Sequence, residues 1–281
     1  MAEPEDKQRI KLIALDMDGT VLNGSSKADE ATLRAIRAAV KMGIRVVPCS
    51  GRHVCEVPEP VTSIDGVDEI ITANGARVVH LGTQETLYEN PIGPEDVARV
   101  LDILEQYDLM TEVYMEEGIR VESRCLMMLG HYNVPDRFHA FFRATRQPLP
   151  THDCFLDYMI GRRVQKFNIF FRHPQEKKRL KKQLERETDL KIVLSSENNL
   201  EINSPTANKG DGLCHLCEAL DIPSSQVMAV GDSDNDLDML NYAGLAVAMG
   251  NGNRHVKAAA DWVTSDNDDL GVARALAKYI L

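Results

Sequence analysis

The chain has little that would suit it to a membrane, to nucleic acid or to a disulfide scaffold. No uninterrupted apolar run approaches the roughly 20 residues of a membrane helix. Met1 to Arg9 is polar and charged, without the apolar centre of a signal peptide. Positive charge is in deficit, with 32 basic residues against 43 acidic ones and a net charge of −11. This balance argues against a nucleic-acid or anionic-membrane surface, which needs clustered cations. The six cysteines are scattered over 281 residues and read as reduced thiols of a cytoplasmic protein. Aromatics are sparse at 5%, and Trp262, the single tryptophan, reads as packing and not as a substrate platform. Internal repeats and low-complexity segments are absent.

What is present is enough for a sizeable core. Apolar residues make up 43%, and the length suits two domains. The apolar run Ile10–Leu15, a helical pattern over Asp29–Met42 closed by Gly43, and the run Ile44–Val47 form a β-α-β unit. Glu69–Thr72 reads as a third strand ending at Asn74-Gly75. The last third repeats the alternation. Helices near Lys209–Leu220, Asp236–Tyr242 and Gly271–Ile280 interleave with strands Val227–Val230, Leu245–Met249 and Trp262–Thr264. Alternation at both ends predicts an α/β fold with a doubly wound parallel sheet.

The middle differs. Pro94 opens a helix over Glu95–Tyr107, and Leu109–Met115 with Ile119–Glu122 reads as a hairpin about Glu116-Glu117-Gly118. Strand Val164–Phe171, a very polar helix Gln175–Glu187 and strand Lys191–Leu194 follow. The expected organisation is a discontinuous core, residues 1–82 and 198–281, interrupted by an α+β cap at 83–197.

Four short signals carry chemistry. They are Asp16-Met17-Asp18-Gly19-Thr20, Ser50-Gly51-Arg52, Asn208-Lys209-Gly210 and Gly231-Asp232-Ser233-Asp234-Asn235-Asp236. Three of them follow apolar strands, where open α/β sheets place their ligand loops. Residues i and i+2 of a strand share a side, so Asp16 and Asp18 can converge on one ligand. A carboxylate attacking a phosphate is anion meeting anion, and a magnesium ion and a lysine supply the missing positive charge. Ser50-Gly51 offers a hydroxyl and a flexible N–H to a phosphate oxygen. A calcium loop is the competing reading of both acidic segments. It requires glycine at its sixth and glutamate at its twelfth position. Those positions hold Leu237 and Ala243 in one segment and Val21 and Lys27 in the other.

In order and spacing the set resembles the haloacid dehalogenase superfamily of phosphotransferases, and its Cof-type sugar-phosphatase-like branch in particular. The resemblance spans nearly the whole chain, with a cap inserted after the third strand. It implies a Rossmann-like core and a magnesium-dependent hydrolase of small phosphomonoesters working through an aspartyl-phosphate. On it, Asp16 is the nucleophile and Asp18 the general acid and then base. Asp16, the Asp18 carbonyl, Asp232 and Ser233 surround the metal. Met17, Ser50, Gly51, Lys209 and Asn235 hold the phosphoryl group, while Asp236, Arg52 and Asn74 support them. The cap, closing over the core, would choose the substrate. The family has a longer helix after the residue matching Arg52, which Pro58 and Pro60 interrupt here. A phosphomutase of the same superfamily is the alternative, and a non-catalytic binding module a more distant one. The expected partner is a small-molecule phosphate ester, with no nucleic acid and no membrane, for a monomer or small homo-oligomer.

Other features take plainer readings. Cys214-His215-Leu216-Cys217 lies on a helix with no second Cys/His pair at zinc spacing and reads as structural. Lys177-Lys178-Arg179 and Lys181-Lys182 read as a solvated helix face balanced by nearby glutamates. Arg120, Arg124, Arg143, Arg146, Arg162, Arg163 and Lys166 lie in the cap and read singly as ordinary surface charge, with one or two available to meet a substrate's far end.

Overall fold

A computed structural model describes residues 10–193 and 198–281. The segment Met1–Arg9, the expected strand end Leu194 and the last residues of the expected insert lie outside the described residues. The chain divides into two compact units. One runs through Glu89 and resumes over Asn208–Leu281, and the other is Asn90–Ala207.

In chain order the strands are β1 (Leu12–Asp16), β2 (Arg45–Cys49), β3 (Glu69–Thr72), β4 (Arg77–His80) and β5 (Thr86–Glu89). There follow β6 (Leu109–Met115), β7 (Gly118–Glu122), β8 (Arg146–Leu149), β9 (Lys166–Phe171), β10 (Lys191–Val193) and β11 (Asn199–Asn203). The last three are β12 (Val227–Gly231), β13 (Leu245–Ala248) and β14 (Trp262–Val263).

The first unit holds an eight-stranded sheet in the order β14-β13-β12-β1-β2-β3-β4-β5. From β14 to β3 every pairing is parallel, as the alternation predicts. Strand β1 is buried on both faces, because helices cover both. Ile13 and Leu15 pack with Leu33 and Ile36 of helix Glu30–Lys41 and Leu276 of helix Gly271–Tyr279. Leu12 and Ala14, pointing the other way, pack with Leu213 and Leu216 of helix Lys209–Ala219 and Met239 of helix Leu237–Tyr242.

The second unit is a six-stranded sheet, β10-β11-β9-β6-β7-β8, antiparallel except at β7–β8. Val97, Phe155 and Leu180, from three helices, cover one face of it together with Phe167 and Ile169.

The boundaries fall later than the sequence suggests. Strands β4 and β5 extend the first sheet antiparallel beyond β3, so the residues just after 82 remain with the core sheet. Strand β11 pairs with β9 and β10, which holds residues 199–203 in the second unit. Its sequence, Asn-Leu-Glu-Ile-Asn, is weak in strand propensity and gives no clear signal.

Candidate active site

The register of the parallel sheet sets several strand ends level. Asp16 lies opposite Cys49, Cys49 opposite Ile71, and Leu15 opposite Val230. The chain therefore leaves β1, β2 and β12 at one edge, just where Asp18, Ser50 and Asp232 follow. Helix Lys209–Ala219 begins behind a side-chain cap, with Asn208 Oδ1 accepting the Asp211 N–H at 2.8 Å. This places Lys209 on the first helical turn and buries it.

Lys209 is the centre of the site. Its Nζ donates to Asp16 Oδ1 at 2.5 Å and to Asp236 Oδ1 at 2.6 Å. Burial alone would lower the lysine pKa, but the two carboxylates outweigh it and hold the ammonium charged well above its ordinary range. Asp236 is fully engaged, since its Oδ2 also accepts the N–H groups of Asp232 at 2.9 Å and Ser233 at 3.0 Å. It braces the loop and aims the lysine.

Asp16 is different. Its Oδ2 is buried and receives no hydrogen bond. Burial first, then the charges of Asp236 and Asp232, push the Asp16 pKa well up, with Lys209 pulling against them. Burial and then Asp236 also push Asp232 up, to about 6. Asp16, Asp232 and Asp236 bring carboxylate oxygens within 4.8 Å of one another, beside a single ammonium. Two negative charges are left without a counter-charge. That uncompensated charge and the hard carboxylate oxygens fit a magnesium ion held by Asp16 and Asp232. Gly19 permits the close approach. Its φ is +85°, and a Cβ there would stand 2.5 Å from Asp232 Oδ2.

Asp18 faces elsewhere. Its side chain is more than half exposed and is gripped by Arg52, Nε to Oδ2 at 2.8 Å and Nη2 to Oδ1 at 2.6 Å. Arg52 also donates from Nη1 to the Glu56 carbonyl at 3.0 Å. A short turn at Val54–Glu56 and a one-turn helix at Glu59–Thr62, with Pro60 in its first turn, follow Arg52. Ser50 is buried, and its Oγ accepts the Arg52 N–H at 3.1 Å. Asn74, at φ 60°, packs so closely on Gly51 that a Cβ there would lie 2.5 Å from Asn74 Oδ1. The Met17 side chain belongs to the core, and its carbonyl accepts the Leu22 N–H at 2.8 Å. Ser233 Oγ donates to Asn235 Oδ1 at 2.6 Å, so these two expected ligands bond to each other.

Two residues given no role in the sequence reading support the site. Thr20 Oγ1 reaches toward Asp232 Oδ1 at 3.5 Å. Asn251 Nδ2 donates to the Gly19 carbonyl at 2.8 Å and ties the first motif to the turn after β13. The Gly250-Asn251-Gly252 turn directly after a strand is the available signal for it.

An aspartate-based hydrolase on an open α/β sheet is the class these features define. A family model described as haloacid dehalogenase-like hydrolase matches residues 13–276, and the chain belongs to that family. The chain is 31% identical over 291 residues to Phosphatase YwpJ of Bacillus subtilis (strain 168), covering 97% of this chain and 100% of YwpJ. It is 28% identical over 276 residues to 5-amino-6-(5-phospho-D-ribitylamino)uracil phosphatase YcsE of the same organism, covering 97% and 96%. The solved structure of a haloacid dehalogenase-like hydrolase from B. subtilis aligns with a TM-score of 0.81 at 29% identity, covering 97% of this chain and 100% of that one. The enzyme class is that of a phosphoric monoester hydrolase.

Proposed function

We propose that the chain is a magnesium-dependent phosphatase of small metabolite phosphomonoesters, sugar phosphates among them, and that it works through a phosphoryl group carried on Asp16. The observation that carries this reading is the division of labour within one carboxylate: Lys209 clamps Asp16 Oδ1, while the buried Oδ2 bears no hydrogen bond. An oxygen so placed is oriented, desolvated and available to attack phosphorus.

Asp16 Oδ2 forms a bond to phosphorus as the ester P–O bond breaks. Asp18, released from Arg52 and protonated, gives its proton to the leaving oxygen. As a carboxylate it then takes a proton from water, whose oxygen attacks the same phosphorus and frees Asp16 and orthophosphate. Lys209 remains charged throughout and offsets charge on the phosphoryl oxygens, with Ser50 and the N–H groups near Gly51 as further donors. Magnesium held by Asp16 and Asp232 would supply the positive charge that lets two anions meet.

The substrate class is supported by the phosphatase relatives, one of them named for a phosphorylated ribitylaminouracil. A cytoplasmic setting belongs to the same proposal. No disulfide joins any of the six cysteines, and no helix among the described residues is long and apolar enough to cross a membrane. Cell fractionation tests that setting. The activity is tested by free-phosphate release from a panel of sugar phosphates, nucleotides, flavin mononucleotide and pyridoxal phosphate, with and without magnesium. Transfer of phosphate within a hexose phosphate, without release, would instead make the protein a mutase.

A further inference from the structure

The polar helix Lys177–Glu187 of the second unit matches the plain reading of its charges only in part. Lys181 pairs with Glu185, and Arg186 with Glu187. Lys178 and Lys182 have no carboxylate partner among the described residues, and Arg179 stands over the Tyr107 ring at 5.1 Å. Lys178, Lys182 and Arg186 recur every four residues along one stripe of the helix. Like charges at that spacing repel and weaken a helix. Glutamates at two of the three positions would have given alternating pairs instead.

These cations line a hollow of about 670 Å³. Its other walls are glutamines, and no carboxylate and no apolar side chain is among the lining residues. One wall is fixed in place: Tyr107 Oη donates to Gln183 Oε1 at 2.7 Å, and Gln183 Nε2 donates to Gln106 Oε1 at 3.3 Å. The volume lies within the usual small-molecule range of about 300–1,000 Å³. A concentration of positive charge, only Arg186 of it paired, in a chain of net charge −11 is a local inversion of sign.

We infer that this hollow, made by Lys178, Arg179, Lys182 and Arg186, binds a small oligophosphate anion. With Arg186 paired to Glu187, the three cations without a carboxylate partner call for several negative charges close together, more than one phosphate monoester carries. The absence of apolar lining leaves nothing to grip a base or a sugar ring, so recognition falls on the phosphate chain itself. Free oligophosphate and the phosphate tail of a nucleotide share that chemistry. The site lies wholly within the second unit and shares no residue with the aspartate chemistry, so it holds whether or not the proposed phosphatase reaction does.

Isothermal titration of the intact protein with sodium tripolyphosphate, in magnesium-free buffer, tests it. One equivalent should bind, and affinity should fall steeply with added salt. Lys178→Gln/Lys182→Gln should weaken binding about tenfold, in the range of two lost charge-assisted contacts. Lys181→Gln, which lies outside the hollow, should leave it unchanged. Titration with ATP identifies the source: equal affinity admits nucleotide tails, and weaker affinity restricts the site to the free anion. Equal binding by wild type and the double variant would overturn the inference. So would orthophosphate binding as tightly as tripolyphosphate, or duplex DNA binding in its place.

Discussion

The Arg52 guanidinium holds both carboxylate oxygens of Asp18, at 2.8 and 2.6 Å. On the proposed mechanism Asp18 exchanges this partner for the substrate during turnover, and Arg52 would act as a positioning residue for the acid. Arg52→Ala should reduce kcat more with an alkyl phosphate, whose leaving oxygen needs a proton, than with an aryl phosphate. A gap of at least about tenfold is expected, within the range of general-acid effects. Equal losses on both substrates, or a loss confined to KM, would instead put Arg52 on the phosphate.

Lys209 is a buried, charged ammonium held between Asp16 and Asp236. Lys209→Ala should lower turnover by on the order of 10²–10³, the usual effect of removing one preorganised stabilising group. Circular dichroism should stay unchanged in the presence of magnesium. A change below about fivefold would remove Lys209 from the reaction.

The pH response of the metal-free protein follows from Asp232. Its pKa stands at about 6 in the folded protein against 3.8 ordinarily. Between those values the folded chain holds more protons than the unfolded one, so stability falls as pH rises through that window. The Asp16 carboxyl, raised by burial first and then by Asp236, acts in the same direction. Magnesium competes with these protons. It should therefore raise the melting temperature more at about pH 7.5 than at about pH 5. An equal rise at both would show that magnesium does not bind these carboxylates.

Gly75 is a structural keystone of the lysine. Its φ is +93°, and a Cβ there would fall 1.8 Å from the Asn208 carbonyl oxygen, one residue before Lys209. Gly75→Ala should cost roughly 3 kcal/mol or more, since an adverse φ and a backbone clash act together. Thermal unfolding measures it, and turnover should fall with it as the start of the lysine helix shifts. A melting temperature within a degree or so of wild type would contradict the close approach.

Much of this was legible in the sequence, because the core is built by patterns that sequence states directly. Apolar runs buried on both faces marked β1, β2 and β12, and the acids and glycines after them marked the edge where they end. The hairpin Leu109–Met115 with Gly118–Glu122 was legible for the same reason, through a glycine turn between apolar runs. What was hidden depends on tertiary neighbours. The strands Arg77–His80 and Thr86–Glu89 find their place only through tertiary pairing, the first on β3 and the second on the first. Within the site, sequence could list Asp16, Asp236 and Lys209 but not that one ammonium bridges the two carboxylates. Nor could it show Asp18 turned toward Arg52, because that pairing joins residues from two different strand ends.

The most direct test of the central claim, that Asp16 takes the phosphoryl group, is mass spectrometry of acid-quenched Asp18→Asn protein after brief exposure to an aryl phosphate. The good leaving group needs little protonation, while the second step loses its base, so the intermediate should accumulate. The account predicts the mass of one phosphoryl group, mapping to Asp16 and removed by hydroxylamine, and no such gain in Asp16→Asn. Phosphoryl label on Ser50, on a histidine, or on any residue of the Asp16→Asn protein would contradict it.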